Sequence, residues 1–289
     1  QLSFSFDEKC SESADSKRPY KAVVTKVYDV TGDGGIDMVD VAELFKSGDN
    51  ALTQLNGDGD FRSLECVNLL DEADIVVTNP PFSLFREFVS LIVEHQKNFI
   101  IIGNQNAISY EETFSLMKNN KMWIGASIHS GDRAFFVPDD YPLDAAGCGI
   151  DEETGRKYIR VKGVRWFTNL DIKQRHEEMI LVRRYVPDEY PTYVNYNAIE
   201  VAKTSDIPCD YSGEMGVPIT FMDKYNPDQF EIVGISRELV RTLSDDVRKN
   251  GAYPQIGRFY LDTGEAKHKK VYERLVIRNK HPEVPKEAQ

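Results

Sequence analysis

Asp74-Ile75-Val76-Val77-Thr78-Asn79-Pro80-Pro81-Phe82 is the stretch whose reading decides the fold. Ile75 to Val77 is apolar and β-branched without alternation, the pattern of a central parallel strand covered on both faces. Pro80 and Pro81 end it. Neither donates a backbone hydrogen bond, and each fixes its own φ and restricts the residue before it. The Asn79 side chain and the Pro80 carbonyl are therefore expected to stand rigidly at the strand's carboxyl edge, where open α/β sheets place their ligands.

An Asn-Pro-Pro-aromatic quartet suits the gripping of an exocyclic amino group. The Asn79 and Pro80 carbonyls can both accept from an NH2 group, drawing its nitrogen out of planarity and freeing the lone pair for an electrophile. Phe82 offers a flat apolar surface on which a base could stack. The plainer reading is a strand closed by a proline turn.

The quartet resembles the catalytic motif of amino-group methyltransferases that use S-adenosylmethionine. The longer stretches ADIVVTNPPFSLFREFV (73–89), FIIIGNQNAISY (99–110), WFTNLDIKQRHEE (166–178) and MGVPITFMDKYNPDQFEIVG (215–234) resemble the EcoRI-type family of adenine-specific DNA methyltransferases. The likeness runs from about Gly57 to about Gly234. It implies an α/β, Rossmann-like S-adenosylmethionine-dependent methyltransferase fold, with a mostly parallel sheet closed by an antiparallel hairpin. It also implies methylation of adenine N6 in double-stranded DNA, with the target base flipped out to reach Asn79 and Phe82. Pro81 completes the catalytic quartet.

Composition bounds the rest. The chain has 289 residues, 41% apolar, and a formal net charge of −12, which argues against non-specific adhesion to nucleic acid while leaving room for a local basic face. Basic residues gather at 156–162, 173–175, 183–184 and 267–280, and acids gather before Asp74. No apolar run is long enough to span a membrane and the first residues lack a signal-peptide pattern, so a cytoplasmic protein is expected. Cys10, Cys66, Cys148 and Cys209 are scattered without a Cys-x-x-Cys pair, which indicates neither a metal site nor a disulfide framework.

Along the chain, residues 1 to 19 are expected to be loosely ordered, and Lys21 to Tyr28 to form a strand. Asp29 to Asp40 reads as a hairpin connection rich in Gly and Asp, with a dockerin-like calcium loop as the alternative. A helix is expected over Ser63 to Glu72. By the resemblance, Asp60 and Phe61 hold the cofactor's adenine, the carboxylate accepting from its amino group and the ring covering its face. The other reading makes Asp58 or Asp60 a helix cap. Asn79 and Leu84 are placed on the cofactor as well, Leu84 and Phe85 lying in the first turn of a helix that runs to His95.

Further strands are expected at Asn98 to Gly103 and Met122 to Ile128, with a helix at Tyr110 to Asn119 between them. The turn Gly103-Asn104-Gln105-Asn106 should land beside the quartet, because neighbouring parallel strands end on one edge. Insertions and hairpins are expected from Ser130 to Gly163. Val164 to Asn169 and Met179 to Arg184 read as the closing antiparallel pair. Trp166 and Phe167 lie where the family places aromatics against the flipped base, and read equally well as a core pair.

The domain expectation is a catalytic domain over 1–185, lacking its N-terminal part, and a C-terminal extension over 186–289 for target recognition. A monomer acting on double-stranded DNA is expected, and the resemblance leaves open a cognate restriction endonuclease beside it. The missing part would leave the methionine end of the cofactor unheld, so weak cofactor binding is expected, and a catalytically silent DNA-binding or scaffold module is the competing reading.

Overall fold

The computed structural model describes residues 18–32, 34–36, 38–46, 48, 50–126, 133–144, 147–264 and 267–284. They fall into two compact units, Gln1–Asp74 and Ile75–Gln289. The expectations for residues 1–17, Cys10, Asp33 and Asp37 lie outside the described residues.

In the first unit, strand β1 (Tyr20–Val23) is followed by helix α1 (Met38–Lys46), strand β2 (Ala51–Gln54) and helix α2 (Leu64–Glu72). β1 and β2 pair antiparallel, Tyr20 opposite Gln54. The Gly- and Asp-rich stretch therefore joins a strand to a helix rather than two paired strands. It is closed by its own carboxylates. Asp29 accepts from the N–H groups of Gly32 and Gly34, and the buried Asp40 accepts from those of Val30 and Thr31. Those backbone donors hold the Asp29 carboxyl below its ordinary range. The cap of α2 is Ser63, whose hydroxyl accepts from the Cys66 N–H, and not Asp58 or Asp60.

The second unit opens with β3 (Ile75–Thr78), α3 (Phe85–Glu94), β4 (Asn98–Asn104) and α4 (Glu111–Lys118). β3 and β4 run parallel, Ile75 opposite Asn98 and Thr78 opposite Ile101, with α3 as the crossover. Phe85, Val89 and Ile92 recur at helical spacing on α3, and all are buried. Next come β5 (Trp123–Ile124), β6 (Arg133–Phe136), β7 (Cys148–Ile150), β8 (Lys157–Val161) and β9 (Val164–Thr168). The strand expected over 122–128 forms only at Trp123–Ile124, and 127–128 lie outside the described residues.

The sheet order is β3-β4-β9-β5, and only the β3–β4 step is parallel. The mostly parallel sheet is thus corrected to a mixed one. The reason is local: β8 passes into β9 through Lys162 and Gly163 alone, at the edge where β4 ends, so β9 must run back along β4. β3 is also an edge strand rather than a central one. Among the described residues it pairs with β4 alone, and Ile75 and Val77 are 48% and 65% exposed.

Met179 to Arg184 is not a strand. Gln229 takes over the backbone of Met179, accepting from its N–H and donating to its carbonyl at 2.8 and 2.7 Å, and Ile180 lies 87% exposed. A side-chain amide has replaced the ladder.

β10 (Ile199–Glu200), β11 (Met215–Pro218), β12 (Phe230–Ile235), α5 (Ser236–Leu239), α6 (Asp245–Asn250), β13 (Tyr260–Leu261), β14 (Lys269–Lys270) and β15 (Arg274–Asn279) complete the unit. β10-β11-β15-β12 form a second mixed sheet around Met215, Val217, Phe230 and Leu275 to Ile277, all buried. Its edge meets the first sheet's helix, where the Lys118 ammonium donates to the Val233 carbonyl at 2.7 Å. Residues 186–289 therefore share one compact unit with the quartet. Among the described residues no helix is long and apolar enough to cross a membrane.

Candidate active site

The quartet stands at the carboxyl end of β3. Pro80 is buried, whereas Asn79, Pro81 and Phe82 are exposed. Pro81 begins a single 3-10 turn, Phe82–Leu84, closed by the Leu84 N–H donating to the Pro81 carbonyl at 2.9 Å. α3 follows directly, so Asn79 lies between a strand end and a helix start and has little backbone freedom. Its carboxamide has no hydrogen-bond partner among the described residues. An acceptor and a donor held rigidly and unused at a sheet's ligand edge are what the grip on an amino group requires.

Neighbouring elements converge on that edge. With Thr78 opposite Ile101, the residues after β3 come level with Gly103 and Asn104 at the end of β4. The Asn104 side chain accepts from the Asn106 N–H and sets the 3-10 turn Gln105–Ser109, while the Gln105 N–H donates to the Gly163 carbonyl. The expected Gly103–Asn106 turn is therefore beside the quartet. Gly103 is required there: a Cβ would come within 2.5 Å of the Phe85 ring and 2.8 Å of the Phe167 ring.

Trp166 and Phe167 separate. Phe167 is fully buried, edge-on to Phe85, and its place is the core. Trp166, next to it on β9 and so on the opposite face, is half-buried and covers Gly125. Leu84 is half-buried in the turn. Phe82 keeps 43% of its surface exposed, enough for one ring face to meet a planar ligand.

Asp60 and Phe61 belong to the first unit. Arg62 grips the Asp60 carboxylate through its own N–H and its guanidinium, at 2.7–2.9 Å, and holds that carboxyl down at about 2. The same guanidinium lies 5.4 Å over the Phe61 ring. Asp60 is thus a permanently ionised acceptor with lone-pair capacity to spare, and fits an adenine amino group.

Two further polar pairings of this unit were not foreseen. Arg165 is buried in β9 with an ion pair to Asp223 at 3.2 Å, tying the strand to the 3-10 turn Ile219–Lys224. An arginine inside the apolar run Val164–Thr168 was the available signal, since a buried guanidinium demands a carboxylate. His176 sits between Asp171 and Asp228 at 2.8 and 2.9 Å, and both hydrogen bonds raise its pKa, that to Asp228 most.

The chain is similar to known methyltransferases over most of its length. The family described as Adenine-specific methyltransferase EcoRI matches residues 2–280. The chain is 49% identical over 187 residues to the type II methyltransferase M.EcoRI of Escherichia coli, covering 64% of this chain and 57% of that protein. It is 38% identical over 229 residues to the type II methyltransferase M.MpnI of Mycoplasma pneumoniae, covering 78% and 70%. A type II methyltransferase of Mycoplasma genitalium is 36% identical over 230 residues, covering 78% and 71%. The chain thus spans between 57% and 71% of the length of these relatives. No solved structure matches the chain.

Proposed function

Because the chain belongs to the EcoRI family of adenine-specific methyltransferases, we propose that it is a type II DNA methyltransferase acting on adenine N6 in double-stranded DNA with S-adenosylmethionine as donor. The carrying observation is the unpartnered Asn79 carboxamide on a proline-fixed turn at the strand edge. Bound S-adenosylmethionine supplies an electrophilic methyl group.

The chain's own work is positional. The Asn79 side-chain oxygen and the Pro80 carbonyl accept the two N–H bonds of the adenine amino group, leaving its lone pair free to point at the methyl. Phe82 stacks on the ring of the flipped base. No side chain has to remove a proton first, since the nitrogen sheds one to water once it carries the methyl. For the cofactor, the ionised Asp60 accepts from the adenine amino group, Phe61 covers the ring, and Leu84 is the apolar neighbour at the quartet. Trp166 is the aromatic of β9 assigned to the base.

Substituting Asn79→Ala tests the reading. Losing one preorganised partner of this kind costs about 10²–10³ in rate. Tritiated methyl incorporation into mixed-sequence duplex DNA should fall by that factor while the unfolding temperature stays put, because Asn79 is exposed. Activity within a few-fold of wild type would sink the assignment.

A further inference from the structure

We propose that the three-stranded sheet β6-β8-β7 is a duplex-DNA binding surface that grips the phosphate backbone through Arg156, Arg160 and Lys162. This rests on the reading of DNA as substrate. In an antiparallel pair directly opposite residues share a face, and here Phe136 lies opposite Tyr158 and Ala134 opposite Arg160. Lys162 continues the same alternation along the chain. Two guanidiniums of this region lie over aromatic rings, Arg156 at 4.1 Å from the Phe136 centroid and Arg160 at 5.5 Å from that of Tyr158. All three cations are exposed.

None of the three forms an ion pair with a described carboxylate. Elsewhere in the unit arginines are paired: Arg165, Arg184, Arg274 and Arg278 each hold a carboxylate oxygen at 2.6–3.2 Å. In a chain of net charge −12, exposed cations left to aromatic rings mark a place reserved for an external anion. The acids of this sheet lie in its end turns, where Asp151 accepts from the Thr154 N–H and hydroxyl.

Position strengthens the assignment. β8 leads into β9 through Gly163, held at a φ of +68° and accepting from the Gln105 N–H at 2.6 Å. Val164 stands opposite Asn104. The root of the sheet is therefore at the carboxyl edge where Asn79 stands, so DNA lying along it passes the quartet. Phosphate contacts hold a protein on the duplex without reading its sequence, and that is the work exposed cations on one face of a sheet can do.

The test uses the 289-residue chain and a short fluorescein-labelled duplex of randomised sequence, followed by anisotropy across a salt series. Arg156→Ala with Arg160→Ala and Lys162→Ala should weaken binding by about tenfold or more, and flatten the slope of log affinity against log salt by about one for each phosphate no longer neutralised. A control, Lys21→Ala with Lys46→Ala and Lys121→Ala, carries the same charge change outside both the sheet and residues 186–289 and should keep the wild-type slope. Both variants should unfold at the wild-type temperature. If wild type binds the duplex and the sheet variant keeps its affinity and slope, the proposal fails while the substrate reading stands. No duplex binding by wild type overturns both. If the sheet variant only converts a dimer to a monomer on a sizing column, the surface belongs to a second copy and the proposal fails.

Discussion

The ring of Phe85 stands edge-on to that of Phe167, with centroids 5.3 Å apart, and Gly103 forms the floor beneath both. The first residue of α3, the middle of β9 and the end of β4 thus meet at one point beneath the quartet. A methyl group on Gly103 would come within 2.5 Å of one ring and 2.8 Å of the other. Overpacking of this kind costs about 1–3 kcal/mol. Gly103→Ala should therefore lower the unfolding midpoint by about 2–4 °C for each kcal/mol of that cost. Methyl transfer should fall too, since α3 cannot shift without moving Phe82. Calorimetry that finds an unchanged midpoint would remove Gly103 from this role.

Phe82 keeps 43% of its surface exposed, so Phe82→Ala should cost far less in stability than in capture of the target base. Stacking on an aromatic is worth about 1–3 kcal/mol per base. A duplex with 2-aminopurine at the target position should brighten on binding wild type and much less on binding Phe82→Ala, with Phe82→Tyr between them. Equal brightening in all three would show that another ring receives the base.

Asp223 holds the buried guanidinium of Arg165 at 3.2 Å. Removing one partner of a buried pair costs about 3–5 kcal/mol, because the remaining charge is stranded. Arg165 also donates to the Val164 carbonyl, which puts Asp223→Ala at the lower end of that range. Urea unfolding should show the destabilisation, and Arg165→Met with Asp223→Leu should recover most of it. A double variant as unstable as the single one would mean that the pair does more than compensate buried charge.

His176 bridges Asp171 and Asp228, and its pKa is raised above the ordinary 6.5, first by the hydrogen bond to Asp228 and then by that to Asp171. A group whose folded pKa lies above its unfolded one stabilises fully below the unfolded value, and the contribution is lost as pH rises through the folded value. Asp171 is shifted down from 3.8 by His176, so its share is present above that value and lost as pH falls. The clamp is therefore strongest between those limits. His176→Gln should flatten the decline of unfolding midpoint on the alkaline side of 6.5. Parallel curves for wild type and variant would exclude the clamp as its source.

Much of the site was legible because its information is local. Proline chemistry fixes Asn79 at a strand end whatever lies around it, and the 3.6-residue period places Phe85, Val89 and Ile92 on one face of α3. The sequence by itself determined those elements, and the resemblance of four stretches determined the family. Tertiary structure alone decided the rest. Ile75 to Val77 has the composition of a buried central strand, but burial depends on which strands pair beside it, and among the described residues only β4 does. The direction of β9 followed from the two-residue link at Gly163, and Met179 gave up its ladder to Gln229, 50 residues away. Phe167 and Trp166 are adjacent in sequence with equal claims to a base, and the alternation of β9 sent one into the core and the other to the opposite face.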